Sequence, residues 1–269
     1  MPEGDTVFLT GQRLGQALTG HTLLRGEFRH PALATVDLAG RSVRGVRTVG
    51  KHIFIQFDDD TSLHSHLRMD GMWHLYGPAD RWRGPTHEVR AVLANDRRIA
   101  VGFRLHDLEM LRTEQESRLV GHLGPDLLGP DWNDAAAAEA ARRLAAKPDH
   151  QLGLVLIDQT VLAGVGNLYR AEVCFLLGVT PWTTASEVDP MKTVLLCREL
   201  LLRNAWRPQQ STTGELGRGR QQWVYLRTGQ PCRRCGTPIR SAIQDRHVPA
   251  RVVCFCPKCQ LGPYPAEAK

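Results

Sequence analysis

Residues 231–259 read PCRRCGTPIRSAIQDRHVPARVVCFCPKC, with the pairs Cys232/Cys235 and Cys256/Cys259 separated by 20 residues. Two Cys-x-x-Cys knuckles at this separation can place four thiolates around one tetrahedral zinc, and a closed four-sulfur shell marks a structural rather than a catalytic ion. A hairpin this short cannot make a core alone, so the metal must supply its folding free energy. Cys254 is a rival ligand, but Cys254-Phe255-Cys256 lacks the two-residue spacing that lets a knuckle close. Cys174 and Cys197 fall in helical patterns and read as small core residues. Seven cysteines, four of them crowded into one pair of knuckles, indicate metal binding in a reducing compartment rather than a disulfide framework.

The same region is strongly basic. From Arg203 to Lys258 there are eleven Lys or Arg against two acids, a local balance of +9, whereas the whole chain of 269 residues carries +6. Such a stripe fits the binding of phosphates, with a solvated basic surface as the plainer alternative. Arg251, just before the second knuckle, is the best single phosphate ligand there. Hydrophobic residues make up 42% and charged residues 23%, as in ordinary globular proteins, and no apolar run is long enough to span a bilayer. Met1-Pro2-Glu3-Gly4-Asp5 shows no secretory signal, so cytosol or nucleoid is the expected location.

Upstream, the first 110 residues alternate short β-branched runs with Gly, Asp and Pro, as in Ser42 to Val49, Ile53 to Phe57, Ser62 to Leu67 and Ile99 to Leu105. A helix over Thr6 to Leu18 precedes them. Beyond Thr113 the patterns turn helical: Asp134 to Ala146 capped by Asn133 or a neighbour, Gln151 to Ile157, Leu168 to Leu177 ended by Gly178, and Met191 to Asn204 entered through Pro190. Arg207 to Arg220 is poor in apolar residues and reads as a mobile linker. The expected class is therefore α+β, with modules at 1–112, 113–215 and 216–269.

Two further motifs carry chemistry. Removal of Met1 would expose Pro2 as a secondary amine, able to attack a sugar C1′ and form an iminium, with Glu3 beside it as general acid and base. A proline at position 2 is common, so this signal is weak alone. Gly164-Val165-Gly166-Asn167 lies between two helical segments, where backbone amides at a helix start can cradle a phosphate with Asn167 as an added donor. It follows no strand, which excludes the dinucleotide-binding reading.

Taken in order, Met1-Pro2-Glu3-Gly4, Gly50-Lys51-His52, Ser65-His66-Leu67, His122-Leu123-Gly124-Pro125-Asp126, Ala163 to Glu172 and the four-cysteine finger resemble the formamidopyrimidine-DNA glycosylase and endonuclease VIII (Fpg/Nei) family. The resemblance spans essentially the whole chain. It implies an N-terminal β-sandwich flanked by helices, a helix-two-turns-helix domain and a C-terminal β-hairpin zinc finger, with damaged DNA between the lobes. It also implies a monomer holding one structural zinc. By the same resemblance Pro2 is the Schiff-base nucleophile, Glu3 the proton shuttle, Lys51 a cation at the scissile phosphate, Asn167 a phosphate ligand, and Arg251 a phosphate grip that supports the second elimination. His122 matches a position that touches DNA.

Flipping a lesion out of the stack costs a few kcal/mol and leaves a hole to be filled. The resemblance aligns Arg68-Met69-Asp70 as the wedge loop, assisted by Arg97 and Ile99. The sequence departs from the pattern at Asp70, an acid beside stacked bases, and at Ile99, where the purine-directed branch has an aromatic. The implied activity is a bifunctional glycosylase and AP lyase of base excision repair, acting mainly on oxidised pyrimidines through β,δ-elimination. The alternatives are a purine-directed formamidopyrimidine and 8-oxoguanine glycosylase and, from another class, a non-catalytic zinc-finger DNA-binding protein.

Overall fold

The computed structural model describes residues 2–245 and 251–268; Met1 and Arg246, one of the eleven basic residues counted above, lie outside the described residues. Internal contacts divide the chain into two compact units, 1–122 and 123–269.

The first unit opens with helix α1 (Gly4–Leu18). It starts two residues earlier than the apolar periodicity predicts, because extended Glu3 takes the cap position and its carbonyl accepts from the Val7 amide at 3.0 Å, while the apolar pattern registers only from Val7. Eight strands follow: β1 (Arg25–Phe28), β2 (Val43–Val49), β3 (His52–Phe57), β4 (Thr61–His66), β5 (Met72–Tyr76), β6 (Val89–Ala94), β7 (Ile99–Phe103) and β8 (Asp107–Arg112). They form two antiparallel sheets, ordered β2-β3-β4-β8 and β1-β6-β7-β5. Period-two alternation turns Ile53, Ile55, Phe57 and Leu63 of the first sheet and Ala91, Leu93 and Ala100 of the second into one core with Val7, Leu14 and Leu18 of α1. Each of the larger side chains among these, Val, Leu, Ile or Phe, contributes about 1.5–3 kcal/mol on leaving water. The opposite face of the second sheet carries a smaller apolar cluster of its own, Tyr76, Val92, Val101 and Phe103. A short helix, α2 (Ser117–Val120), closes the unit. The buried Glu116 carboxylate before it binds Arg47 at 2.8 Å, Ser62 at 2.6 Å and Gln56 at 2.9 Å, tying this end of the unit to the first sheet.

The second unit holds α3 (Asp134–Ala145), α4 (Leu152–Ile157), α5 (Asn167–Leu177) and α6 (Pro190–Asn204), then the hairpin β9 (Arg240–Asp245) and β10 (Arg251–Phe255). Asn133 caps α3 by accepting from the Ala136 amide, and Asp189 caps α6 by accepting from the Lys192 amide. The two turns between α4 and α5 are built by side chains: Asp158 accepts from Thr160, and the Gln159 amide donates to the Ile157 and Val165 carbonyls while accepting from Gly164 N. Arg207 to Arg220, read from composition as mobile, is instead pinned by polar contacts. Ser211 exchanges backbone hydrogen bonds with the Asn204 side chain at 2.7 and 3.0 Å, and the Thr212 hydroxyl donates to Glu172. Those partners lie elsewhere in the chain, so local apolar content could not reveal them.

Gly124 has a steric reason to be glycine. A Cβ there would lie 2.4 Å from the Val161 carbonyl oxygen and 2.8 Å from that of Thr160, both backbone atoms that cannot step aside. This approach lets the 123–126 strip pair with the turns that lead into α5, as Gly124 N donates to Gln159 O at 2.8 Å. Gly124→Ala is therefore predicted to destabilise the protein by about 1–3 kcal/mol. The check is the urea midpoint, which should fall without a change in slope.

Candidate active site and metal centre

In the first unit, the start of α1 carries Pro2, half-buried, followed by Glu3, Gly4 and Asp5, all buried. Glu3 is 0% exposed. An acid is favoured at the positive end of a helix dipole, where Glu3 stands as the residue that caps α1 through its backbone rather than its side chain. Lys51 sits on a different element. Val49 pairs with His52, so Gly50 and Lys51 are the entire β2–β3 turn. Gly50 has φ +57° while Lys51 is not in the positive-φ region, the pattern of a type II′ turn, which needs glycine first. Lys51 thus stands at a rigid hairpin tip.

Next to that tip lies a group of side chains of which the motifs contain His52 and His66 but show neither His64 nor the grouping. On the outer face of the first sheet, register places His52 opposite His66, His66 opposite Asp107, and His64 opposite Glu109. His52 Nδ1 and His64 Nε2 are 2.9 Å apart, and the His52 ring stands 5.1 Å from both His64 and His66. With Arg68, His106, Leu108 and Leu119 these residues line a cavity of about 460 Å³. Burial, first of all, holds each of His52, His64 and His66 neutral, with the pKa pushed down to about 4; a neighbouring imidazole adds to this in each, Arg68 adds to it for His52 and His66, and Asp107 opposes it. Lys51 acts on His66 in the same sense, and His122, which is exposed, on His52. The alternation of His64 and His66 on one strand was visible in the sequence. Their meeting with His52 required the register.

The loop between β4 and β5 presents Met69 with 61% of its surface exposed, and Arg68 beside it pairs with Asp107. Arg97 is not brought to this loop. Register pairs Met72 with Phe103 but Tyr76 with Ile99, so Arg97 and Ile99 lie at the opposite end of β7, roughly 13 Å along the strand at about 3.3 Å per residue. The residues that do face the Met69 loop are those of the β7–β8 connection, Arg104 and His106.

In the second unit, Asn167 is the first residue of α5 and Gly166 its cap. The Asn167 amide donates to the Val252 carbonyl at 2.9 Å, next to exposed Arg251 at the head of β10. Its oxygen accepts from Arg170, which is 0% exposed and also donates to Gln244 of β9 at 3.2 Å. One turn on, the buried Glu172 accepts from the amides of Trp223, Val224 and Tyr225, each at 2.8 Å. Burial pushes the Glu172 pKa up, opposed by these donors and by Thr212. Two buried charges on one helix therefore hold the hairpin and the 211–225 segment.

The four cysteines converge. The sulfurs of Cys232, Cys235, Cys256 and Cys259 all lie within 4.8 Å of one another, with Cys232–Cys259 at 3.8 Å and Cys235–Cys256 at 3.5 Å. A tetrahedron with arms of about 2.3 Å has edges of about 3.8 Å, so the cluster is sized for one metal ion. The Arg234 and Cys259 amides donate to Cys232 and Cys256 sulfur, each at 3.4 Å, the backbone geometry of a closed knuckle. Cys254 is outside the cluster and contacts Thr228 at 3.5 Å. The finger is seated on α5, with Arg234 4.4 Å from the Phe175 ring and 5.2 Å from that of Trp223.

This combination of an acid-headed helix on a β-sandwich, a two-turn helical motif and a four-thiolate hairpin defines a family. Residues 1–124 match the formamidopyrimidine-DNA glycosylase N-terminal domain, and residues 123–215 match the formamidopyrimidine-DNA glycosylase H2TH domain. The chain belongs to that family. It is 48% identical to the probable endonuclease 8 2 of Streptomyces coelicolor, over 98% of this chain and 96% of that one. It is 44% identical to the DNA-(apurinic or apyrimidinic site) lyase Nei2 of Mycolicibacterium smegmatis, over 97% and 100%. Among solved structures, the Lactococcus lactis Fpg (MutM) complexed with DNA containing N7-benzyl-Fapy-dG shares the fold, with TM-score 0.77, 22% identity and coverage of 97% and 100%.

Two expectations follow. The three imidazoles are neutral in the fold and take up protons near pH 6.5 when unfolded. Between about pH 6.5 and 4 the unfolded chain binds more protons, so their contribution to stability is full above that window and is lost as pH falls through it. His64→Gln should flatten the loss between pH 7.5 and 5 by on the order of 1–2 kcal/mol, read from urea midpoints. For the metal centre, serine at Cys232, Cys235, Cys256 or Cys259 should abolish stoichiometric metal in elemental analysis, whereas Cys254→Ser should retain it.

Proposed function

We propose that the chain is a bifunctional DNA glycosylase and AP lyase of base excision repair, acting as a monomer on damaged chromosomal DNA in the cytoplasm and removing mainly oxidised pyrimidines. The observation that carries this reading is the wholly buried Glu3 immediately after Pro2 at the head of α1. With Met1 removed, the Pro2 nitrogen attacks C1′ as the N-glycosidic bond breaks, and Glu3 handles the protons of ring opening and base departure. The resulting iminium acidifies the C2′ protons. Loss of one expels the 3′ phosphate, and a second elimination expels the 5′ phosphate, leaving a one-nucleotide gap. Lys51 on its rigid turn is the cation for the scissile phosphate. Asn167, His122 and Arg251 bind backbone phosphates, Arg251 also aiding the second elimination. Met69, with Arg68, fills the hole left by the flipped base, and Arg97 contacts DNA away from it.

The relatives named for endonuclease 8 and Nei2, at 43–48% identity over nearly the whole chain, support this reading over the purine-directed one, since the formamidopyrimidine-DNA glycosylase of Geobacillus kaustophilus is 30% identical over 86% of the chain. We assign zinc as the ion of the four-thiolate centre on donor chemistry, since four sulfurs at tetrahedral spacing suit it. It would hold the finger rigid without touching substrate. In the proposed division of labour, residues 1–112 carry the chemistry, 113–215 grip the backbone and 216–269 form the finger.

The test is excision from duplexes carrying thymine glycol, dihydrouracil or 8-oxoguanine, with wild type and Glu3→Gln. The first two bases should be released faster than the third. Glu3→Gln should bind all three duplexes but lose about 100-fold or more in excision. Wild-type turnover by the variant would remove Glu3 from the mechanism.

A further inference from the structure

The acid at position 70 looks misplaced in a loop whose proposed task is to enter a base stack. The structure gives it other work. Asp70 Oδ2 lies 3.3 Å from Arg104 Nε and Asp70 Oδ1 lies 3.5 Å from His106 Nε2, while Arg104 Nε also donates to the Asp70 carbonyl at 3.1 Å. Arg104 is held in turn. It pairs with Glu88, its Nη2 is 3.7 Å from the Met72 sulfur, and its backbone amide donates to Glu88 O at 2.8 Å. On the other side of Met69, Arg68 pairs with Asp107 and its amide donates to His66 Nδ1 at 3.1 Å. Both Arg68 and Arg104 have φ +50°, a left-handed conformation that costs a non-glycine residue energy and persists only where its surroundings impose it. The two residues flanking Met69 are thus each held by an ion pair, Asp70 to the β7–β8 connection and Arg68 to Asp107 at the start of β8, with Met69 exposed between them.

We propose that Arg104 is the positioning residue of the Met69 loop, which it holds through Asp70 in the shape that enters the duplex. The proposal rests on the reading of Met69 as the residue that fills the hole. Methionine is flexible, so a wedge made from it gains from a backbone ordered before DNA arrives, because the ordering entropy is then not charged to binding. Arginine suits the task because its planar fork engages Asp70, Glu88 and a carbonyl at once, where a lysine offers a single point charge.

Arg104→Met keeps the length and the Met72 packing and removes the charge. It should lower kcat/KM for thymine glycol excision from duplex DNA about tenfold or more. Cleavage of a single-stranded oligonucleotide with a preformed abasic site, which presents no hole to fill, should stay within about twofold, since nothing in that reaction uses the loop. Asp70→Asn, which severs the pair from its solvent side, should reproduce the duplex defect, and Arg104→Lys should restore part of it. Combined with Met69→Ala, Arg104→Met should add nothing on duplex, as expected when one residue acts through another.

Wild-type duplex excision by Arg104→Met alongside a defect in Met69→Ala would overturn the positioning role. So would equal losses on both substrates, which would mark Arg104 as merely structural. Wild-type duplex excision by Met69→Ala would instead overturn the reading of Met69, and the proposal with it.

Discussion

A carboxylate wholly out of water at the first turn of a helix constrains how the N-terminal unit is built. Burying a carboxylate without compensation costs several kcal/mol, so Glu3 requires the head of α1 to be held firmly in place. α1 meets that demand by packing Val7, Leu14 and Leu18 into the sandwich core, so the same apolar contacts that stabilise the fold locate its head. Lys51 is fixed independently, by a two-residue turn that glycine makes possible. Rigid elements thus carry the groups proposed for chemistry, and precision in the site follows from packing beneath it.

The second unit uses the same device twice more. Arg170 and Glu172, both buried and both on α5, bind opposite partners: Arg170 reaches Asn167 and the β9 strand, and Glu172 gathers three consecutive amides of the 223–225 segment. A buried charge held by partners on several elements specifies geometry more than it adds stability. Here the specified geometry is the seat of the hairpin that bears Arg251 and of the finger that a metal closes. Phe175 on the same helix meets Arg234 from within the first knuckle, so the four-cysteine cluster and the end of α5 proposed to bind phosphate share one scaffold.

What the sequence made legible was local. Cysteine spacing identified the four ligands and set Cys254 aside, and cap residues placed α3, α5 and α6 within a residue of their observed limits. Ordered motifs identified the family. What it hid depends on register or on distant partners. The histidine group needs β3, β4 and β8 aligned before His52, His66 and Asp107 meet. Asp70 looked wrong for a wedge because its partners are 34 and 36 residues further along, and Arg97 was set beside Met69 although β7 separates them end to end. The segment 207–220 read as a linker because its anchors are hydrogen bonds to Asn204 and Glu172, which composition does not register.

The account stands or falls on which nitrogen attacks the sugar. Protein lacking Met1 should be incubated with DNA containing an abasic site, reduced with borohydride, digested with protease and nuclease, and the cross-linked peptide sequenced by mass spectrometry. The account predicts that the added mass lies on the peptide beginning at Pro2, on the proline nitrogen itself. An adduct on Lys51, or on any other lysine, would contradict it.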